Sequence, residues 1–527
     1  MEIVENKALR IRTRSPEKFS IIPRHHVHPI TGGYEVTVFW GLDEVRVLRN
    51  LGVKNVPSPI ERAYDWPGRY RPMAHQKTTA SFLTLHRRAF VFNDPGTGKS
   101  MAALWAADYL MKRKEVRRCL ILCPLSIMHS AWMGDINNSI IHRSAVVAHH
   151  TKASRRIELI QGDYEFVIIN YDGLELVANE IIADGRFDLV IADEANVFSN
   201  TKTNRWKTLA KILTPNTFLW LMTGTPAAQS PVQAYGLAKL VNPSGVPNYV
   251  TAWRDKVMNK ITTFKWAPKP NAKELVFNAL QPAIRFAKKD CLDLPPVTTT
   301  TRYVDMTPMQ ARYYKRLKDD MLVTAAGQTI SAVNKAALVN KLLQVASGSA
   351  YAEGGETIEF DATPRLNLLL EILQETNRKV LIFAMYRSSI DTIEMFLTKK
   401  GYNVGVIHGG IAASKRGELI NRFQNTPEPN VMVMQPQATA HGITLTAADT
   451  VVFFGPLMSI ELYLQCIARS DRKGQTSDKV TVVHIESSPI ERKMFAAMHS
   501  KVTDHALLAS MFDEELGINT AEGENNL

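Results

Sequence analysis

Short apolar runs of strand length alternate with helical stretches in this chain, and they do so in two separate blocks. The first block holds AFVFN (89–93), CLILCP (119–124), FVIIN (166–170), LVIAD (189–193) and FLWLMTG (218–224). The second holds KVLIFAM (379–385), NVGVIHG (403–409), NVMVMQ (430–435), TVVFFG (450–455) and KVTVVHI (479–485). Strands that alternate with helices pair in parallel, because each crossover needs a helix to return the chain. The predicted fold class is therefore α/β, with two parallel-sheet lobes over 67–245 and 361–510. The segment 246–360 reads as a mostly helical insert, through stretches such as PMQARYYKRLKDDMLV and SAVNKAALVNKLLQVA. Residues 1–66 read as a small basic α+β unit with a strand YEVTVFW (34–40) and a short helix closing at Gly52. The acidic tail 511–527 is expected to fray.

Composition excludes several classes. With 527 residues, 45% hydrophobic and 22% charged, the chain has ample apolar material to bury and length for three or four domains. No apolar stretch approaches the roughly 18 residues a membrane span needs, so no membrane partner is expected. The N-terminus, MEIVENKALRIR, is charged from its second residue and lacks the apolar core of a secretory signal. Four cysteines without a CxxC pair suit a reducing, cytoplasmic setting. The net charge of +12 mildly favours a polyanionic partner. The HHVH cluster, with His25, His26 and His28, has no acidic or Cys ligand close by and reads as a solvated or phosphate-facing loop.

The most specific local signal is a strand, then DPGTGKS (94–100), then a helical MAALWAADYLM. In that context Asp94, Pro95, Gly96, Thr97, Gly98, Lys99 and Ser100 form a phosphate-binding loop. Backbone N–H groups around Gly96 to Gly98 and the helix N-terminus cradle a polyphosphate. Lys99 is placed to reach the β/γ-phosphates and Ser100 to offer an oxygen to Mg2+. One departure stands out: the usual first glycine of the motif is Asn93. A later strand ends in Asp193-Glu194, where a Mg2+-orienting carboxylate is needed. Asp193 is then the metal residue, through water, and Glu194 the general base for the attacking water. Positive charge for the developing γ-phosphate is offered by Arg469 and Arg472 in QCIARSDRKGQ (465–475), three apart on a predicted helix and so on one face.

Together these motifs resemble superfamily-two helicases, specifically the SWI/SNF-type DNA-dependent ATPases, in order from about residue 70 to 500. RPMAHQ (71–76), with Arg71 and Gln76, resembles the adenine-reading glutamine motif. DPGTGKS and DEAN resemble motifs I and II, and LILCPLSIMHSAW (120–132) and INYDGL (169–174) resemble motif Ia and the Tyr-containing segment after it. TGTPAAQSPVQAYGL (223–237) is similar to motif III, and PAIRFAKKDCLDLPP (282–296) to the family's basic stretch. LIFAMYRSSID (381–391), IHGGIAASKRGELINRFQ (407–424), GITLTAADTVVFFGP (442–456) and QCIARSDRKGQ resemble the second-lobe motifs. Asn196 stands where the family usually has His, QPQATAH lacks the paired glycines, and Thr444 replaces Asn, which bears on how ATP hydrolysis couples to DNA.

The resemblance implies two RecA-like lobes, ATP and Mg2+ as cofactors, and DNA, duplex or branched, as partner of a monomeric motor. Lys99, Ser100, Asp193 and Glu194 would serve from the first lobe and Arg469 and Arg472 from the second. The expected activity is translocation that drives branch migration, fork remodelling or annealing. Ser126, Lys202, Arg205 and His408 to Gly410 are candidate DNA contacts, and Trp66 or Tyr70 a candidate adenine stacker. KRKEVRR (112–118) reads as a solvated face rather than a DNA patch. A strand-separating DNA or RNA helicase, a motor that displaces proteins from DNA, and an ATP-gated clamp remain open alternatives.

Overall fold

Alternation within each strand decides which side of the sheet a residue serves. In the first block Leu120, Leu122, Val167, Ile169, Val190, Leu219 and Leu221 pack into one core. Their immediate neighbours Cys119, Ile121, Phe166, Ile168, Leu189, Ile191 and Trp220 pack into another. A strand buried on both faces has no polar side, which is why these runs are continuously apolar. The second block repeats the arrangement, with Leu381, Phe383, Met432, Val451 and Phe453 on one face and Val380, Ile382, Val431 and Val452 on the other.

The computed structural model describes residues 1–224, 226–227, 230–262, 266–291, 296–325, 332–351, 356–439, 443–472 and 474–500. Contacts divide the chain into two units, one of Met1–Ala227 with Pro231–Cys291 and the other continuing from Leu292. The first contains a seven-stranded parallel sheet in the order Ala283–Ile284, Arg88–Val91, Phe218–Met222, Phe187–Ala192, Arg118–Cys123, Phe166–Asn170, Ala145–Val147. The strand Phe218–Met222 thus lies between the strand that feeds the phosphate loop and the strand that ends at Asp193. The second unit contains a six-stranded parallel sheet, Val297–Tyr303, Val480–Glu486, Ala448–Phe453, Lys379–Phe383, Val431–Met434, Val404–Ile407. Both are RecA-like α/β lobes.

The ten strands read in the two blocks, and the one read at 34–40, are present within a residue or two at their ends. The segment 246–360 differs from the expected single helical insert. Its helices Val250–Val257, Ala272–Ala279, Pro308–Ala325 and Ala332–Ala346 are there, but each lobe also takes an edge strand from it. Ala283–Ile284 pairs with Phe90 and Val91, and Val297–Tyr303 pairs along Val480–Glu486. An edge strand is half exposed and carries a weak apolar signal, and VTTTTRY in particular has almost none.

The N-terminal unit is a four-stranded antiparallel sheet with the helix Leu42–Asn50. HHVH is not a loop: His25–Ile30 is the edge strand beside Gly33–Phe39. No group of three metal-ligating side chains occurs among the described residues. The helix docks on the first lobe through Arg46, which donates to Glu115 at 2.7 Å and to the Thr84 carbonyl at 2.9 Å. Within the run 112–118, Arg113 pairs with Glu115, Arg117 with Asp188, and buried Arg118 with Asp184. Those ion pairs tie the turn after the helix Lys99–Lys112 and the start of the strand Arg118–Cys123 to the rest of the lobe. No helix among the described residues is long and apolar enough to cross a membrane. The tail 511–527 lies outside the described residues.

Candidate active site

A phosphate-binding loop must bend back on itself, and two glycines with positive φ allow it here, Gly96 at 88° and Gly98 at 75°. Gly98 is the N-cap of the helix Lys99–Lys112, and a Cβ there would lie 2.1 Å from Gln76 Nε2. Thr97 Oγ1 donates to the Asp94 carbonyl at 2.8 Å and closes the turn. The loop is braced from the helix Ala74–Leu85: His75 Nε2 lies 2.8 Å from the Thr97 carbonyl and Gln76 Nε2 donates to the Gly98 carbonyl at 3.2 Å. A carbonyl only accepts, so His75 carries its proton on Nε2. Gln76 Oε1 accepts from the Met73 N–H at 2.9 Å, so this buried amide serves the loop and the start of its own helix.

The carboxylate strand ends beside the loop strand's other neighbour. The Asp193 N–H donates to the Leu122 carbonyl at 2.9 Å and extends the ladder by one residue. Its carboxylate accepts from the Glu194 N–H at 3.0 Å and from Trp132 Nε1 at 3.2 Å, while the Tyr171 hydroxyl donates to its carbonyl. Burial pushes the Asp193 carboxyl above its ordinary range; the nearby Lys99 ammonium pulls it back and the neighbouring Glu194 charge adds to the rise. Glu194 sits at φ 48°, a left-handed conformation that an L-residue adopts at a cost and that turns the chain sharply off the strand. The strand between brings in Thr223 and Gly224: the Thr223 N–H donates to the Val91 carbonyl at 3.0 Å, and a Cβ on Gly224 would meet Pro95 Cδ at 2.9 Å.

Asp94 to Ser100, Asp193 and Glu194 thus share the carboxyl ends of parallel strands, where open α/β sheets bind ligands. The donor set fits Mg2+: one hydroxyl, Ser100, and one carboxylate, Asp193. Mg2+ takes its remaining positions from water and substrate phosphates, so no cluster of protein ligands is required.

In the second unit the expectation about the arginines needs correction. The helix is Ile460–Ile467, and Arg469 and Arg472 follow it rather than lying on it. A turn takes over because Ser470 Oγ donates to the Ala448 carbonyl and Gln475 Nε2 donates to that carbonyl at 2.8 Å and to the Ser470 carbonyl at 3.1 Å. The two guanidiniums still converge: Arg469 and Arg472 both donate to the Ile443 carbonyl, at 3.2 and 3.3 Å. Arg472 also donates to Thr444 Oγ1 at 2.9 Å, giving the residue that replaces the usual Asn a direct role in holding it.

Other expected residues are placed as follows. Trp66 is half-buried and packs edge-on against Tyr64 and Trp105 at the margin of the core, whereas Tyr70 and Arg71 are exposed. Arg205 is paired with Asp172, and Lys202 is exposed. In the 408–410 loop the Gly409 N–H is taken by Gln435 and the Gly410 N–H by His408 Nδ1. The Ser126 side chain lies outside the described residues. Sequence reasoning assigned no role to His75, Trp132 or Tyr171; each stands inside a quoted motif, but only the folded chain aims it at Thr97 or Asp193.

Fold and site together define a P-loop ATPase of the helicase type, with two RecA-like lobes. An SNF2-related domain matches residues 75–348, more than half of the chain, and a helicase conserved C-terminal domain matches 364–474. The chain belongs to the SNF2-related family. Among its relatives is the Chromodomain-helicase-DNA-binding protein 1-like of Danio rerio, 25% identical over 408 residues, covering 73% of this chain and 38% of that protein. Another is the SWI/SNF-related matrix-associated actin-dependent regulator of chromatin subfamily A-like protein 1 homolog of Caenorhabditis elegans, 27% identical over 455 residues, covering 83% of this chain and 62% of that protein. The chain therefore spans between 38% and 62% of the length of these two relatives. A solved Sulfolobus solfataricus SWI2/SNF2 ATPase core in complex with dsDNA is 19% identical, with a TM-score of 0.42, covering 87% of this chain and 96% of that one.

Proposed function

We propose that the chain couples ATP hydrolysis to movement along double-stranded or branched DNA, with branch migration, fork remodelling or annealing as its outcome. The observation that supports it most is the convergence of the phosphate loop with Asp193, close enough for the Lys99 charge to act on that carboxylate. In this reading Lys99 holds the β/γ-phosphates and backbone N–H groups of Gly96 to Gly98 cradle them. Ser100 and Asp193 would hold Mg2+, which would supply neutralisation of the phosphates' negative charge. Glu194, at the turn after Asp193, orients the attacking water and accepts its proton. Arg469 and Arg472 offer positive charge to the γ-phosphate as it leaves. DNA is held mainly by its phosphates, so binding weakens steeply with salt.

Steady-state ATPase rates with single-stranded, duplex, forked and four-way DNA, and with RNA, at one salt concentration test this. Stimulation by duplex or branched DNA without unwinding of a tailed duplex is the expected result. Strand separation, or stimulation by RNA alone, would replace translocation by an unwinding helicase. Glu194→Gln should bind ATP and fail to hydrolyse it; unchanged turnover would remove Glu194 as the base.

A further inference from the structure

The loop departs from the ordinary phosphate-binding pattern at Asn93, and that residue is 1% exposed with both ends of its amide used. Asn93 Nδ2 donates to Thr79 Oγ1 at 3.0 Å, on the helix that also carries His75 and Gln76. Asn93 Oδ1 accepts from the Phe286 N–H at 3.0 Å, across 193 residues of sequence. Phe286 lies in the stretch that follows the edge strand Ala283–Ile284, and this stretch is laced to the loop strand throughout. Phe90 and Phe92 N–H groups donate to the Pro282 and Ile284 carbonyls at 3.0 and 2.8 Å, and the Asp94 N–H donates to the Phe286 carbonyl at 3.1 Å. The Lys288 N–H donates to Asp94 Oδ2 at 3.0 Å, and Arg285 stands 3.8 Å from Asp94 Oδ1. Four residues past Lys288 the chain passes to the second unit, which continues from Leu292.

A glycine at position 93 could make neither side-chain bond. We propose that Asn93 is a positioning residue of the ATPase site: it ties the phosphate loop to residues 282–288, so that nucleotide in the loop orders the stretch of chain leading into the second unit. The proposal rests on the ATPase reading above and adds the route by which nucleotide occupancy leaves the site. A buried amide with both ends bonded suits this task, because it has one low-energy arrangement and no water to substitute for a lost partner.

Amide hydrogen exchange on the full chain, with and without Mg2+ and a non-hydrolysable ATP analogue, provides the test. In the wild type, nucleotide should slow exchange across 284–288 by about fivefold, a change in opening equilibrium of the size one net hydrogen bond produces. Asn93→Leu removes both bonds and should lose most of that protection. Asn93→Asp keeps the acceptor for the Phe286 N–H, and Thr79→Val leaves that bond untouched, so both should retain it, which a general packing role for Asn93 would not predict. If Asn93→Leu does not fold, Asn93→Ser, whose hydroxyl stops short of the Phe286 amide, takes its place. Nucleotide that binds the wild type without slowing exchange at 284–288 overturns the proposal, as does full protection in the Asn93→Leu or Asn93→Ser chain. A wild type that binds no nucleotide overturns the ATPase reading itself.

Discussion

At the residue scale the carboxylate of Asp193 is the group on which the site's electrostatics turn. It is buried, it accepts from the Trp132 indole, and the Lys99 charge opposes the desolvation that would neutralise it. Trp132→Phe removes the donor and keeps most of the ring. ATPase activity should fall about tenfold, as for other partners that orient metal-binding carboxylates, with the half-saturating Mg2+ concentration raised. A Mg2+ titration of the steady-state rate checks this; unchanged saturation would mean the indole only fills space. Lys99→Ala should lower the rate by about 100-fold or more, since it removes the ammonium aimed at the transferred phosphate. DPGTGKS and the Asp193-Glu194 pair were legible because strand, loop and helix must follow one another in sequence for such a loop to form. Trp132 was not, because an indole N–H in an apolar run gives no sign of what it will meet.

At the element scale two buried polar knots hold helices in place. In the second unit the Arg365 guanidinium donates to the Ile485 carbonyl at 2.7 Å, to the Phe454 carbonyl and to Glu491 at 2.8 Å, with both side chains almost wholly buried. Glu491→Ala leaves that guanidinium without its counter-charge and should destabilise the second unit by about 3–5 kcal/mol, read as a shift in its urea transition. In the first unit His86 joins the N-terminal helix to the lobe: Nδ1 lies 2.7 Å from the Phe82 carbonyl and Nε2 2.8 Å from Arg49. Burial, and then the Arg49 charge, push the imidazole down to about 4, against a backbone bond that favours its proton. Folded His86 therefore stays neutral while the unfolded residue takes a proton near pH 6.5, so stability present above that pH is lost as pH falls towards 4. The loss approaches about 3 kcal/mol. Urea midpoints between pH 7 and 4.5 should fall more steeply for the wild type than for His86→Gln.

Across the whole molecule, nine of the ten block strands are interior and could be read directly because both faces of each are apolar. The tenth, Val404–Ile407, lies at a sheet edge but is legible because it is built of Val, Gly and Ile alone. The edge strands Ala145–Val147, Ala283–Ile284 and Val297–Tyr303 could not be read, since partial exposure removes that signature. If DNA is held through its phosphates, as proposed, salt weakens its binding. The concentration of duplex DNA giving half-maximal ATPase stimulation should rise linearly on a log–log plot against salt, as counterion release requires. A flat plot would argue that DNA phosphates are not its main hold.

Periodicity and local motif spacing determined the two parallel-sheet lobes, the phosphate loop and its carboxylate partner, because each depends on residues close together in the chain. Tertiary structure alone decided the rest. It ended the helix before Arg469 and brought both arginines to Ile443, shared the segment 246–360 between two units, and set Asn93 against Phe286. Those outcomes rest on hydrogen bonds and strand pairings between residues separated in sequence, and a linear pattern carries no record of which distant partner a side chain or edge strand will find.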